Sequence, residues 1–108
     1  MAQPVRQIVS GTGVSSPPVV LNLHATPFNV SVTVYVGTSN TYTVEYTLDD
    51  PFDNAFDPST ATWISHPDAT DATTDSTVQL VTPVTAVRLN QTTGTNVSTF
   101  VVIQAGIT

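Results

Sequence analysis

Acidic and aromatic side chains alternate in the stretch TLDDPFDNAFDPSTATW, which begins at Thr47. A calcium loop of the EF-hand type needs oxygen ligands at alternating positions, a central glycine and a terminal bidentate acid. The stretch supplies the oxygens, but it contains no glycine, and Phe52 and Phe56 interrupt the acids. We therefore expect no bound metal. Asp53 and Asp57 are instead expected to start turns by accepting hydrogen bonds from nearby backbone amides.

Other catalytic groups are sparse. A serine hydrolase would need a serine, a histidine and an acid in one geometry, yet the sequence has no Gly-x-Ser-x-Gly elbow. We expect His24 and His66 to be loop residues with hydrogen-bonded rings. A glycosidase pair of carboxylates stays open among so many acids. The Gly11-Thr12-Gly13 run lacks the further glycine and the helix of a dinucleotide loop, so we expect a turn there. The sequence predicts a protein that is not an enzyme and has no cofactor.

The aromatic residues of the acidic stretch favour a binding role. Phe52, Phe56 and Trp63 lie in a long connection, and large apolar side chains exposed together are unusual on a soluble monomer. One interpretation is that the connection folds back and the rings seal an open end of the domain. The other is that they dock on a partner, because aromatic anchors dominate the energetics of interfaces.

The charge balance excludes two classes of partner. The chain has no lysine, its only cations besides the histidines are Arg6 and Arg88, and its formal net charge is -6. Nucleic acids and anionic membranes are bound through clusters of lysine and arginine, so we expect neither as a partner. The first residues lack the apolar segment of a signal peptide, and no apolar run reaches the ~18 residues of a membrane span. There is no cysteine, which suits a chain that matures in a reducing compartment.

The strand pattern predicts an all-β fold. Threonine and valine make up 20 and 17 of the 108 residues, and β-branched residues favour strands. Alternation and turn residues delimit about seven or eight strands: Val5 to Ser10, Val19 to Leu23, Val30 to Val36, Thr41 to Leu48, Thr62 to His66, Thr77 to Val81, Thr85 to Asn90 and Val97 to Ala105. The four-residue turn 37–40 predicts a hairpin. We expect residues 1–108 to form a single β-sandwich domain of jelly-roll or immunoglobulin-like type.

The last predicted strand bears on assembly. Ser98 to Ala105 has high β propensity and no charge, so a free edge there would aggregate. The strand is therefore either central in its sheet or covered by another subunit, and a dimer or trimer would cover it. Five residues are the candidate partner-binding positions: Phe52, Phe56, Trp63, Phe100 and Val102.

The sequence resembles small β-rich virion proteins of tailed bacteriophages over nearly its whole length. The matching segments are Ser10 to Gly13, Pro27 to Val30, Tyr42 to Thr47, Asp49 to Phe52, Ala61 to Trp63, His66-Pro67, Pro83 to Asn90 and Val102 to Gly106. This resemblance implies a capsid decoration or cement protein, made in the cytoplasm of the host bacterium, that binds the major capsid protein on the outer head surface. The alternative is a phage fibre or receptor-binding module, in which Phe52, Phe56 and Trp63 stack on a glycan.

Overall fold

The computed structural model describes residues 5–21, 26–50, 53–57, 59–82 and 84–107. These residues contain nine β-strands and no helix. The strands are β1 (Val5–Val9), β2 (Val14–Ser15), β3 (Val19–Val20), β4 (Thr26–Tyr35), β5 (Thr41–Thr47), β6 (Ile64–Ser65), β7 (Ser76–Leu80), β8 (Ala86–Thr93) and β9 (Ser98–Ile107). The predicted all-β fold is confirmed. No described helix is long and apolar enough to cross a membrane.

The strands form two antiparallel sheets that pack face to face. One sheet has the order β1-β9-β4-β7, and the other has the order β2-β8-β5-β6 with β3 also paired to β8. Because β2 and β3 pair with the same neighbour, they act as one strand that is interrupted at Pro17 and Pro18, which lack a ladder donor. The pairs β1-β9, β2/β3-β8 and β4-β7 then nest around the β5-β6 pair. This nesting is the double-sheet jelly-roll architecture.

The predicted hairpin at residues 37–40 is wrong. β4 pairs with β7 and β9, whereas β5 pairs with β6 and β8, so the chain crosses here from one sheet to the other. Turn residues serve a crossing as well as a hairpin, which is why the sequence pattern misled. The hairpin of the fold instead joins β5 to β6, and the acidic stretch is its long tip.

Two strand predictions also need correction. The strand predicted from Val30 begins at Thr26, and its pairing with β9 shifts register between Thr26 and Asn29, which marks a bulge or irregularity that alternation does not reveal. β2 was not predicted, because two residues are too short to show alternation.

The core lies between the two sheets and is built from alternate residues of each strand. On one side are Val30, Val32 and Val34 of β4 with Phe100 and Val102 of β9, all almost completely buried. They meet an inner row from the other sheet: Tyr42, Val44, Val87 and Leu89. β9 occupies a central position between β1 and β4, which is the first of the two alternatives predicted for this uncharged strand.

Candidate functional site

The aspartates of the β5-β6 connection hold its backbone in shape. The Asp53 carboxylate accepts a hydrogen bond from the Ala55 N–H at 2.9 Å. The Asp57 carboxylate accepts from the N–H of Ser59 at 2.9 Å and from its hydroxyl at 2.8 Å. These two bonds hold the pKa of the Asp57 carboxyl below its ordinary value. The prediction that Asp53 and Asp57 start turns is confirmed.

The base of the same connection is closed by Asp49. Its carboxylate accepts a hydrogen bond from the Thr62 N–H at 2.9 Å, which joins the strand that leaves the sheet to the segment that returns. Between these ends lies an open concave surface that encloses a volume of about 310 Å³. It is lined by Asp49, Asp50, Asp53, Ala55, Phe56, Asp57, Thr60 and Ala61. Phe56 is therefore a half-buried aromatic ring within an acidic wall, and Phe52 lies outside the described residues.

The acids do not assemble into a metal site within the described part of the chain. No group of three or more histidine, aspartate or glutamate side chains there has an arrangement that could hold a metal ion. The carboxylates of Asp49, Asp53 and Asp57 each accept a hydrogen bond from a backbone N–H of the same connection. These hydrogen bonds account for the positions of the three carboxylates.

Trp63 lies beside the outer face of the five-stranded sheet. The Arg88 guanidinium carbon lies 4.2 Å from the centre of the Trp63 ring, a cation–π contact. Arg88 Nε also donates to Glu45 Oε1 at 2.8 Å, and the two residues are direct cross-strand neighbours. Trp63 is half-buried and is not among the residues that form the core between the sheets. One interpretation of the sequence placed the Trp63 ring over an open end of the sandwich. In the structure the ring packs on Arg88 of β8.

Phe100 and Val102 are core residues. Phe100 is fully buried and Val102 is 2% exposed. β9 is central in its sheet, so these alternate side chains point between the sheets while their neighbours point outward. Neither side chain is on the surface where a partner would contact it, and the prediction of partner binding is corrected for both.

His66 has a structural position. Its ring Nδ1 accepts from the Asp68 N–H at 3.1 Å, and its Nε2 lies 3.3 Å from the Gln79 carbonyl oxygen. Since Nδ1 is the acceptor, Nε2 carries the proton and donates to that carbonyl. The ring thus links the segment after β6 to β7 in the other sheet. The prediction of a loop residue with a hydrogen-bonded ring is confirmed for His66, and His24 lies outside the described residues.

A buried polar cluster joins the two chain crossings at one end of the sandwich. The Asn40 side-chain amide donates to Ser98 Oγ at 2.9 Å and to the Asn96 carbonyl at 2.7 Å. Gln91, fully buried, donates to the carbonyls of Gly11, Gly94 and Asn96 at 3.1 Å. Every buried side-chain nitrogen or oxygen of the described residues has a partner. The sequence analysis did not single out these residues, because their sequence separation hides their proximity.

The outer face of the four-stranded sheet is also a surface that the sequence analysis missed. We call it the four-stranded face, and it comprises Arg6, Ile8, Ser31, Thr33, Tyr35, Thr77, Gln79, Thr99, Val101 and Ile103. Ile8 is 64% exposed, Tyr35 53% and Ile103 41%. None of the four strands contains an aspartate or glutamate, and Arg6 is their only charged residue. All eight acids of the chain lie on the other sheet or in connections.

Comparison with known proteins identifies no relative: no family model, curated protein or solved structure matches this chain.

Proposed function

We propose that this chain is a virion structural protein of a tailed bacteriophage that decorates the outer surface of the head. It binds the major capsid protein, bridges neighbouring capsomers and stabilises the shell, with no chemical step. The observation that carries the proposal is the segregation of charge: a face with exposed Ile8, Tyr35 and Ile103 has no carboxylate, while the acids lie elsewhere.

The four-stranded face has the properties of a protein-docking surface. Interface cores are depleted in charged residues, and they gain free energy from burial of apolar and aromatic side chains. The same face carries Thr33, Thr77 and Thr99, whose hydroxyls can form hydrogen bonds with a partner. Docking through this face would leave the acidic β5-β6 tip in solvent, where its charge keeps the assembled particle soluble.

Stabilisation of a shell follows from binding alone. A protein that binds the mature shell and not its separated capsomers shifts the equilibrium toward the shell by mass action. Many copies with modest affinity suffice, because their contributions add over the particle. The resemblance of the sequence to phage virion proteins supports this assignment, and so does the jelly-roll architecture, which recurs among viral capsid domains.

The concave surface at the β5-β6 tip favours a second candidate, a fibre or receptor-binding module. Sugar sites combine an aromatic ring with polar groups that bond hydroxyls, and this surface of about 310 Å³ offers Phe56 beside several carboxylates. A glycan array run with the purified chain and with Phe56→Ala separates the candidates. Strong binding that the substitution abolishes would favour the receptor-binding module.

A capsid-binding assay tests the first candidate with a matched pair of substitutions. Heads of the parent phage that lack this protein are mixed with wild type, Ile103→Glu or Ile64→Glu. Ile103 on the four-stranded face and Ile64 in β6 are 41% and 40% exposed, so the same change is made at equal exposure. We expect Ile103→Glu to lose binding and Ile64→Glu to retain it. Equal binding by both variants, or binding by neither wild type nor variants, contradicts the proposal.

A further inference from the structure

The outer edge of β1 is open among the described residues. Backbone groups along an antiparallel strand point alternately to the two sides of the strand. Val36 directly follows β4, and its N–H donates to the carboxylate of Asp75, which directly precedes β7. The backbone N–H and C=O groups of even-numbered residues in β4 therefore point to β7, and those of odd-numbered residues point to β9. The residues of β9 opposite them, Thr99, Val101 and Ile103, use their backbone groups on β4.

The backbone groups that β1 directs outward follow from this parity. The backbone N–H and C=O groups of Ser98, Phe100 and Val102 point to β1. The hydrogen bonds between the two strands are therefore made by the backbone groups of their partners, Val9, Gln7 and Val5. Arg6 and Ile8 therefore direct their N–H and C=O groups away from the sheet. β7 provides a check on the parity, since it places the Gln79 carbonyl on the outer edge and His66 bonds that carbonyl. That contact engages the β7 edge, whereas no described residue bonds the outer groups of β1.

We propose that the β1 edge pairs with the β1 edge of a second copy of this chain, antiparallel about a twofold axis, to form one continuous eight-stranded sheet. Charge favours a second copy at this position. A chain with a formal net charge of -6 repels itself least where it has no carboxylate, and the four-stranded sheet has none. β1 also lacks the lysine, proline or bulge that commonly protects an edge.

The alternation of the outward backbone groups along β1 restricts the register of this pairing. Only Arg6 and Ile8 can face each other's backbone groups, so the axis passes through Arg6, Gln7 or Ile8. An axis at Arg6 sets two like charges directly opposite, which is destabilising. An axis at Ile8 pairs Arg6 with Ser10, which lies beyond the strand. An axis at Gln7 pairs Arg6 with Ile8 of the other copy on both sides of the axis, and it forms four hydrogen bonds within β1.

The dimer has a consequence for the four-stranded face. A twofold axis normal to the sheet keeps both outer faces on the same side, so two faces join into one surface of about twice the width. This inference does not rest on the proposed function, because it concerns only the backbone and charges of β1.

Single cysteines in this cysteine-free chain test the register. With the axis at Gln7, the two Gln7 Cα atoms lie about 4.5 Å apart as a pair without mutual hydrogen bonds, which is within disulfide range. The two Arg6 Cα atoms are displaced by two residues and lie about 8 Å apart, as do those of Ile8, which is beyond that range. We expect Gln7→Cys to oxidise readily to a linked dimer, and Arg6→Cys and Ile8→Cys to oxidise slowly. Faster cross-linking of either control overturns this register.

The oligomeric state tests the pairing itself. Light scattering coupled to gel filtration should find a dimer at micromolar concentrations for the wild type. Ile8→Pro removes an outward N–H that the β1-β9 ladder does not use, so the variant should be a folded monomer, with circular dichroism as the check on folding. A wild type that stays monomeric at every concentration, or a folded Ile8→Pro that stays dimeric, overturns the proposal.

Discussion

Replacing Gly94 by alanine should cost far more than replacing Gly13, although both glycines have positive φ. Gly94 has φ 95° and follows β8 at the crossing between the sheets. A Cβ built there lies 2.8 Å from Asn40 Cα and also meets the Asn40 side chain. Asn40 cannot move aside, because it is 1% exposed and bonds Ser98, Asn96 and Gln91. Gly13 has φ 72° and nothing within 4 Å of an added Cβ.

The expected magnitudes follow from these surroundings. Gly13→Ala incurs only the left-handed backbone penalty, about 1 to 2 kcal/mol, partly offset by the less flexible unfolded chain. Gly94→Ala adds overpacking against a fixed neighbour, about 1 to 3 kcal/mol, and disturbs a buried polar cluster in which a lost hydrogen bond costs about 1 to 3 kcal/mol. Together with the shared backbone penalty, the lower ends of these terms give an expected loss of at least about 3 kcal/mol for Gly94→Ala.

Urea denaturation followed by the fluorescence of Trp63, the single tryptophan, measures both variants under identical conditions. The difference between the two free energies of unfolding isolates the contact with Asn40, because the backbone term is shared. If Gly94→Ala came within about 0.5 kcal/mol of Gly13→Ala, the crossing would not be packed as described, and the buried cluster would not hold the two crossings together.

Three further predictions concern the aromatic and acidic residues. Phe100→Ala truncates a core side chain and should lower the free energy of unfolding by about 3 to 5 kcal/mol. Trp63→Ala loses one cation–π contact and a partly buried ring, so it should cost only about 1 to 2 kcal/mol. Urea titrations of the two variants compare these losses of stability. Because the folded-state pKa of Asp57 is depressed, Asp57 contributes stability above its unfolded pKa of about 3.9, and this contribution is lost as pH falls through the folded value. A carboxyl NMR titration should give a lower pKa for Asp57 in the folded protein than in a short unfolded peptide with the same local sequence. Thermal melts in EDTA and in millimolar calcium should coincide, and a rise of several degrees with calcium would contradict the expectation that the chain binds no metal.

Local patterns in the sequence were sufficient for most of the strands and for the turns that Asp53 and Asp57 start. Period-two alternation placed β4 and β5, and the short polar side chains of Asp53 and Asp57 identified the turns they start. These features depend on neighbours within a few residues, so the sequence displays them directly. Phe100 and Val102 were misjudged because a central and an edge strand share one composition.

Long-range pairing was not predictable from the same patterns. Whether residues 37–40 close a hairpin or cross between sheets depends on Asn40 meeting Asn96 and Ser98, more than fifty residues later. The stacking of Trp63 on Arg88 likewise joins distant segments. The four-stranded face becomes visible only when β1 and β9 are known to be neighbours, because each strand alone shows just two or three of its residues.

Cryo-electron microscopy of the parent virion tests the central claim most directly, that this chain decorates a phage head through its four-stranded face. We predict density for the chain on the outer head surface at junctions between capsomers. The face that carries Ile8, Tyr35 and Ile103 should be against the capsid, and the β5-β6 tip should point outward. Density only in the tail or fibres, or no copy of the chain in the virion, would contradict the account.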